Sequence, residues 1–526
     1  MSDVSFPIVE PKFLETSDAR GREVFHSYSK GMCPTCRELV DGTRFLRDGK
    51  VYMRKQCRVH GKSEALISGD ADWWLKSLTY IKQGSVPLKH STTVSEGCPK
   101  DCGLCPDHEQ HSCLPIIEIT NHCNMECPIC IVQNRNNYHM SKDEFGKIVD
   151  GLVEKEGTLD TVNLSGGEPT IHPRFLEFLD IARRPEIARV SISTNGVRIA
   201  NDLGFCEELA RRKVYVNLQL DALRNPELRV LRGVGDQEGL KQRALANLEK
   251  TGCRTTIVST VAKGVNDDQI GDCVRLLFER DFILSLMFQP AAYTGYGGAH
   301  FGPHDPMNVI TIPDIVKACQ EQTGGLLVKS DFLPLPCSHP GCFGLTYMLK
   351  TDEGFVPFPR FVDLDRYLEI ISNRGTVRPD ATFESAIRAT IDDLWTSGGQ
   401  LPQSDKILAQ LRKCIRAMYP TERALELEER MHLGEGMVKT IFIHAFMDEH
   451  TFDVDRIKKC CTHYALPDGR LMPGCAYNMF YRHKDARFAG PVGTADIWGK
   501  PAKKSNEPVE GPLVTGKPLP IMKPQE

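Results

Sequence analysis

Between about residues 115 and 290, apolar strand-like runs alternate with helix-like segments, and no other feature of the sequence limits the possible fold so strongly. The runs PIIEIT, TVNLS, RVSIST, VYVNLQL, TTIVSTV and LSLMFQP are separated by segments such as DEFGKIVDGLVEKE, RFLEFLDIARR, FCEELARR and LKQRALANLEK. Alternation at this spacing predicts βαβ units on a parallel sheet, barrel-like or doubly wound. Six units fit, and polar residues at the carboxyl ends of such strands are the expected site.

A length of 526 residues exceeds what one hydrophobic core normally serves. Four regions are expected: a Cys-rich module over 1–114, the α/β region over 115–300, a mixed domain with further cysteines over 301–485, and an extended Pro/Lys/Gly-rich tail over 486–526. The first region lacks regular periodicity and reads as loops held by metal. Lysine plus arginine (65) nearly balances aspartate plus glutamate (69), so no whole-chain electrostatic footprint for nucleic acid appears. No apolar run approaches the roughly 20 residues of a transmembrane helix. A cytoplasmic protein is expected, with peripheral membrane contact left open.

Twenty cysteines are too few for a disulfide scaffold of this length and suggest metal in a reducing compartment. Ten fall between Cys33 and Cys130 in short-spaced sets, whereas Cys206, Cys253, Cys273, Cys319 and Cys414 stand alone and read as buried small hydrophobes. The loop CNMECPIC, residues 123–130, directly follows the first strand of the predicted sheet. Three thiolates from one loop do not complete a four-cysteine zinc shell without a distant ligand, whereas a cubane on three cysteines keeps one iron open.

Cys123, Cys127 and Cys130 match the CxxxCxxC signature of the radical S-adenosylmethionine (SAM) superfamily, which this protein resembles over roughly 115–290. The resemblance implies a partial (β/α)6 TIM-like barrel and a [4Fe–4S] cluster that chelates SAM. It is strengthened by NLSGGEPTIHPRF, where Gly166, Gly167, Glu168 and Pro169 match the superfamily's GGEP motif at the end of the second strand. Glycines there let backbone approach a ligand, and the carboxylate can accept from its ammonium group. By the same resemblance Ile129 packs on adenine, Ser193, Thr194 and Asn195 contact ribose or carboxylate, and Gln219 and Asp221 form the next layer. Asn266 and Gln289 follow at later strand ends. The electron donor implied is a reduced ferredoxin or flavodoxin.

The remaining cysteines form three sets. Cys33, Cys36, Cys57 and His60 have the two-knuckle spacing of a mononuclear Zn or Fe site, its fourth ligand left open. Cys98, Cys102, Cys105 and Cys113 suffice for an auxiliary [4Fe–4S] cluster, with a four-thiolate zinc site as the alternative. Cys337, Cys342 and Cys475, with one of the adjacent pair Cys460 and Cys461 and preferably Cys460, are expected to hold a second auxiliary cluster.

Taken together these sets resemble the tetraether lipid synthase group and its relatives, the radical SAM pterin C-methylating enzymes. The branch resemblance implies functionalisation of an unactivated C–H bond, foremost C–C coupling of lipid alkyl groups, with C-methylation of a pterin or another small heterocycle as the alternative. A non-catalytic zinc protein and a peptide-modifying enzyme are the other classes considered. Apolar runs DFILSLMF and MVKTIFIHAFM are candidate tunnel walls but read more simply as core. The acid pairs Asp363/Asp365 and Glu422/Glu426 are candidate contacts to a polar ring but read more simply as solvated helix starts.

Overall fold

The structure is a computed structural model describing residues 23–132, 138–233, 235–302, 304–396 and 403–488. Apart from 486–488, the expected tail lies outside these residues.

Residues 24–68 hold more order than expected. β1 (Val24–Met32), β2 (Leu39–Arg47), β3 (Lys50–Cys57) and β4 (Gly61–Ser68) form an antiparallel sheet in the order β1-β2-β3-β4. Asp48 and Gly49 turn β2 into β3 with φ of 51° and 69°. Asp-Gly between two strands is the strongest short hairpin signal a sequence carries, and it stands in RFLRDGKVYMRK.

The six predicted strands are present as β5 (Leu114–Thr120), β6 (Val162–Gly166), β7 (Val190–Thr194), β8 (Tyr215–Gln219), β9 (Thr255–Val261) and β10 (Ile283–Pro290). They run parallel in sequence order. Helices cross between them, the first being Lys142–Glu156, which starts on a Ser141–Glu144 capping box and buries Phe145, Ile148, Val149 and Leu152. Each strand alternates. Ile117, Ile119, Leu164, Ile192, Leu218, Ile257 and Leu286 enter the core beneath the helices, while their neighbours face the concave side.

Later segments extend this sheet at both edges. β11 (Phe343–Thr351), β12 (Gly354–Pro357) and β13 (Val438–His444) join beyond β10, and β14 (Thr462–Ala465) and β15 (Leu471–Pro473) join beyond β5. The order is β12-β11-β13-β10-β9-β8-β7-β6-β5-β14-β15, with β13 parallel to β10 and β14 parallel to β5. DFILSLMF and MVKTIFIHAFM are thus β10 and β13. Helices Ala381–Thr396, Ser404–Met418 and Leu427–Glu435 pack beneath β11 and β13 around a second core. The five isolated cysteines are all buried, as expected of small hydrophobes.

Candidate active site and metal centres

The CNMECPIC loop leaves the carboxyl end of β5 and is held on three sides. On the first, the GGE run folds back along it: Gly167 N donates to Thr120 O at 2.8 Å and Glu168 N to His122 O at 2.8 Å. A Cβ on Gly166 would lie 2.1 Å from Thr120 O, and one on Gly167 2.2 Å from His122 O, so the backbones touch only because both residues are glycine. On the second side, Ile129 N approaches Leu231 O at 3.5 Å, and the Ile129 side chain packs in an apolar cluster with Leu231, Ala262, Val265 and Phe301. On the third, residues 295–298 clamp the loop. Gly297 N donates to Cys130 O at 2.7 Å, Gly298 N to the same oxygen at 3.2 Å and Tyr296 N to Ile131 O at 3.2 Å. Sequence reasoning singles out Gln289 at this strand end and misses the clamp, whose signal is the glycine density of YTGYGG.

Glu168 is buried, with one carboxylate oxygen accepting from Thr170 N, Thr170 Oγ1 and Thr194 Oγ1 and the other from Asn195 N at 2.7 Å. Burial raises its pKa despite these bonds. Glu168 thereby ties the ends of β6 and β7 together, and Pro169 begins the short buried turn that follows. Asn195 Nδ2 donates to Asn124 Oδ1 at 2.7 Å and lies 3.9 Å from Cys123 Sγ. Ser193 Oγ donates to Asn163 Oδ1.

Behind this end of the barrel is a charged network that the sequence did not reveal. Arg232 donates twice to Asp221, at 2.6 and 2.8 Å, and once to Thr260 Oγ1. Lys241 Nζ donates to Asn195 O at 2.6 Å. Burial works against the Asp221 carboxylate, but Arg232 more than offsets it and the pKa falls below the ordinary value. Burial pushes Lys241 down to about 8. Gln219 Nε2 bonds Asp221 Oδ1 and Val258 O, and Gln289 Nε2 lies 3.5 Å from Met287 Sδ. Asn266 uses its amide on Asp221 O, Thr260 O and Ala262 N, shaping its own loop.

Cys123, Cys127 and Cys130 stand on one loop and influence one another electrostatically, a set that suits a cluster retaining an open iron. Burial pushes both Cys123 and Cys130 up, so metal is needed to hold them as thiolates. For Cys130 the Val132 backbone and the Arg232 and Arg482 guanidiniums oppose that push.

The N-terminal set comes together with His60 in the position that the sequence left open. The donor atoms of Cys33, Cys36, Cys57 and His60 all lie within 4.8 Å of one another. Cys36 Sγ and Cys57 Sγ are 3.9 Å apart, and His60 Nδ1 is 3.6 Å from both Cys33 Sγ and Cys57 Sγ. Tetrahedral zinc with ordinary bond lengths has edges of about 3.8 Å between sulfurs and about 3.6 Å from sulfur to nitrogen, so the residues fit the ion.

The other cysteines assemble differently from the expected sets. Cys98 and Cys102 lie within bonding reach, with Cys105 beside them. Cys113 leaves that group: its thiol is within hydrogen-bonding reach of Cys337 and Cys461. Cys460 neighbours Cys102, Cys475 and Cys342 instead. The physical reason lies at the start of β14, where successive residues of an extended backbone point to opposite faces. Neighbouring cysteines therefore reach different groups. Arg456 Nε donates to Cys342 Sγ and Met447 N to Cys475 Sγ. The acid pairs are helix starts: Asp363 caps Leu364–Ile371 and Glu426 caps Leu427–Glu435, while Asp365 and Glu422 are exposed.

On the concave face one level of the sheet is polar throughout. Glu118 pairs with Ser165, and Ser193, Asn217, Thr256, Ser285 and Thr440 follow one another in register. Glu118 is met from the C-terminal segment by Arg482, whose Nη1 donates to both carboxylate oxygens at 2.9 and 3.0 Å. No helix of the described residues is long and apolar enough to cross a membrane.

Comparison with known proteins agrees with this geometry. Residues 117–277 match the radical SAM superfamily, and residues 25–69 match the HMPTM N-terminal zinc ribbon domain. The protein is 28% identical over 494 residues to a 7,8-dihydro-6-hydroxymethylpterin dimethyltransferase of Methanocaldococcus jannaschii, covering 88% of this sequence and 95% of that one. It is 29% identical over 178 residues to a GTP 3′,8-cyclase of Syntrophomonas wolfei, covering 32% of this sequence and 52% of that one. Among solved structures, Streptococcus suis SuiB bound to precursor peptide SuiA matches over 38% of this protein and 44% of its own length, with 19% identity and a TM-score of 0.33. The expectation of lipid coupling finds no support in these matches, which favour its alternative. Three cysteines at the end of β5, backed by the GGEP turn and preceded by a zinc ribbon, give this protein a radical SAM domain over residues 117–277.

Proposed function

We propose that this enzyme methylates a ring carbon of a small planar heterocycle of the reduced-pterin kind. Per methyl group added, one SAM is consumed to remove the ring hydrogen, a second SAM loses its sulfonium methyl to the ring carbon, and two electrons are drawn from the reductant. The polar level of the concave face carries this reading. Ser165, Asn217, Thr256, Ser285 and Thr440 offer hydroxyl and amide groups where a lipid tunnel would need apolar walls, while Glu118 and Ser193 of the same level are already paired with Arg482 and Asn163. Each polar group left unpaired against an alkyl tail costs about 1–3 kcal/mol. A heterocycle edged with ring nitrogens and oxygens satisfies them instead. The Methanocaldococcus relative, a pterin dimethyltransferase by name, supports the same class.

A [4Fe–4S] cluster with SAM on Cys123, Cys127 and Cys130 supplies a radical able to remove hydrogen from an unreactive carbon. The protein's own residues position and enclose. Asn195 and Glu168 orient groups at the ends of β6 and β7, Ile129 offers adenine an apolar face, and the 295–298 clamp keeps the loop closed over the barrel. Cys98, Cys102 and Cys105 form one auxiliary iron–sulfur site and Cys113, Cys337 and Cys461 another, with Cys342, Cys460 and Cys475 completing the shells. Reduced ferredoxin or flavodoxin is the proposed donor.

The test is anaerobic incubation of the reconstituted enzyme with SAM, reductant and 7,8-dihydro-6-hydroxymethylpterin. A product heavier by one or two methylene units, absent with Cys123→Ala, is expected. An unchanged pterin, with coupling of the alkyl groups of an added dialkyl glycerol ether, would overturn the reading.

A further inference from the structure

A strap of irregular backbone, residues 81–97, crosses the outside of the auxiliary cysteine groups. Ser91 N donates to Leu104 O at 3.1 Å, beside Cys105, and Leu88 N to Lys155 O at 2.7 Å. A Cβ on Gly84 would lie 2.2 Å from both Gln110 Oε1 and Glu109 O, so the strap comes this close to the 104–113 segment only because the residue is glycine. Four of the twelve exposed large apolar side chains among the described residues fall on it: Ile81, Val86, Leu88 and Val94, with Leu88 76% accessible and Val86 64%. Exposed apolar groups gathered in this way mark an interaction surface. The stretch IKQGSVPLKHSTTVS, residues 81–95, carries Lys82, Lys89 and His90 and no carboxylate. Glu109 and Glu154, on the segments beneath, are each met by a lysine, Lys459 and Lys89.

From this surface two of the cysteines are one residue away. The exposed Ser85 donates its N–H to Asn373 Oδ1 at 2.8 Å, and Asn373 N donates to Cys337 Sγ at 3.0 Å. The Ser85 carbonyl accepts from His111 N, and His111 Nε2 lies 3.5 Å from Cys113 Sγ. Gln110 Nε2 also donates to Cys113 Sγ, at 3.4 Å, and the Cys113 thiol is within reach of Cys337 and Cys461. N–H groups aimed at sulfur stabilise thiolates and tune the potential of the iron they hold, so this donor set fits an iron–sulfur group on Cys113, Cys337 and Cys461. Both Cys113 and Cys337 are buried, so no partner touches them directly. Electron transfer weakens steeply with distance, and two short hydrogen-bonded routes join these thiols to one exposed residue.

We infer that the strap over residues 81–95 is the docking face for the electron donor, a small acidic one-electron carrier protein, and that Ser85 marks the point of entry. One electron leaves the reduced carrier and reduces the iron–sulfur group held by Cys113, Cys337 and Cys461; no bond forms or breaks and no proton moves. The inference rests on the reading of those cysteines as an iron–sulfur site and adds the surface, the partner's charge and the route. Redox encounters bury little area, below about 1,200 Å2, which an exposed strap can supply. Basic side chains around an apolar centre steer an acidic partner into place, and a small interface lets it leave.

The test is stopped-flow reduction, by a reduced acidic bacterial ferredoxin, of the anaerobically reconstituted Cys123→Ala protein, whose visible absorbance reports the auxiliary groups alone. Val86→Glu and Leu88→Glu, each added to that parent, are expected to lower the second-order rate at low salt at least about tenfold, and Lys82→Glu to lower it several-fold. Iron and sulfide contents, and the rate with dithionite, should stay as in the parent. Tyr28→Glu, on the ribbon and 77% accessible, should leave the ferredoxin rate as it is. Equal ferredoxin rates in the parent and all three strap variants would place the donor elsewhere and overturn the docking face, while leaving the iron–sulfur reading intact. A parent protein that takes up no sulfide, and no iron beyond the ribbon's ion, would overturn that reading and the inference with it. Self-association that the strap variants abolish while the ferredoxin rate holds would assign the face to a second copy of this protein instead.

Discussion

Breaking the ion pair between Glu118 and Arg482 should open the C-terminal closure of the barrel, and the size of the effect follows from the environment. Glu118 is 2% exposed and Arg482 5%. The guanidinium gives one nitrogen to both carboxylate oxygens and Nε to Asn478 Oδ1 at 2.9 Å. Its carbon also lies 5.0, 4.6 and 4.8 Å from the ring centres of Tyr464, Tyr477 and Phe488. Arg482→Met keeps much of the volume but leaves the Glu118 carboxylate buried without its counter-charge, a loss of about 3–5 kcal/mol. Two-state unfolding is not expected of a protein this long, so local opening is the better measure. Hydrogen–deuterium exchange in residues 114–120 and 477–488 should accelerate by roughly 10²- to 10³-fold or more. The double variant Glu118→Leu/Arg482→Met should lose less than Arg482→Met alone, because an apolar pair no longer strands a charge. Additive losses in the double variant, or an Arg482→Met protein with unaltered exchange, would refute the reasoning.

Other consequences are as direct. Lys439 is buried with Nζ donating to Arg280 O and Asp281 O, and burial lowers its pKa from 10.5 to about 8. Between those values the unfolded state holds more protons than the folded one, so stability should rise with pH across that window by at most about 3 kcal/mol; melting curves of Lys439→Met should lack the rise. A Cβ on Gly297 would fall 2.5 Å from Pro128 O and 2.7 Å from Cys130 O. Gly297→Ala should therefore displace the cluster loop and change the electron paramagnetic resonance of the SAM-bound cluster, and an unchanged spectrum would count against the clamp. Cys123→Ala should abolish SAM cleavage while Cys98→Ala leaves uncoupled cleavage measurable; equal losses would sink that division of labour. Removing zinc, or Cys57→Ser, should speed hydrogen exchange in residues 447–455 as well as in the ribbon itself.

What was legible in the sequence is what a local period or a fixed spacing encodes. The six central strands announce themselves by apolar runs separated by amphipathic helices, and CxxxCxxC followed by GGEP fixes the carboxyl ends of β5 and β6. β13 and β14 were not legible as members of the same sheet, because they pair with β10 and β5 across more than a hundred intervening residues. Arg232 and Lys241 belong to no sequence motif that sets them apart from other helix charges; only the fold turns them inward onto Asp221 and Asn195. The grouping of Cys113 with Cys337 and Cys461, rather than with Cys98, Cys102 and Cys105, is likewise a property of strand pairing, since Cys113 N and Leu114 N both bond Cys461 O. Spacing along the sequence favours the wrong partner there, and the sheet decides.

The zinc ribbon bears on the radical site through a continuous set of buried contacts. Lys55 of β3 is 1% exposed and donates to Glu449 O and His450 O at 3.0 and 2.6 Å. Arg44 of β2 pairs with Asp453, itself 1% exposed, and Arg37 with Glu449. That 448–453 turn then holds the segment just before the clamp: Asp448 accepts from Tyr293 N and Glu449 from Thr294 Oγ1 at 3.1 Å. Three residues later Gly297 N bonds Cys130 O. Charges this deeply buried are costly unless every partner stays in place, so the ribbon, the turn and the clamp have few alternative arrangements. The ribbon thus constrains, through side-chain packing, how firmly the CNMECPIC loop is held. That accounts for a module with four converging metal ligands packing against a barrel whose cluster loop must be well placed.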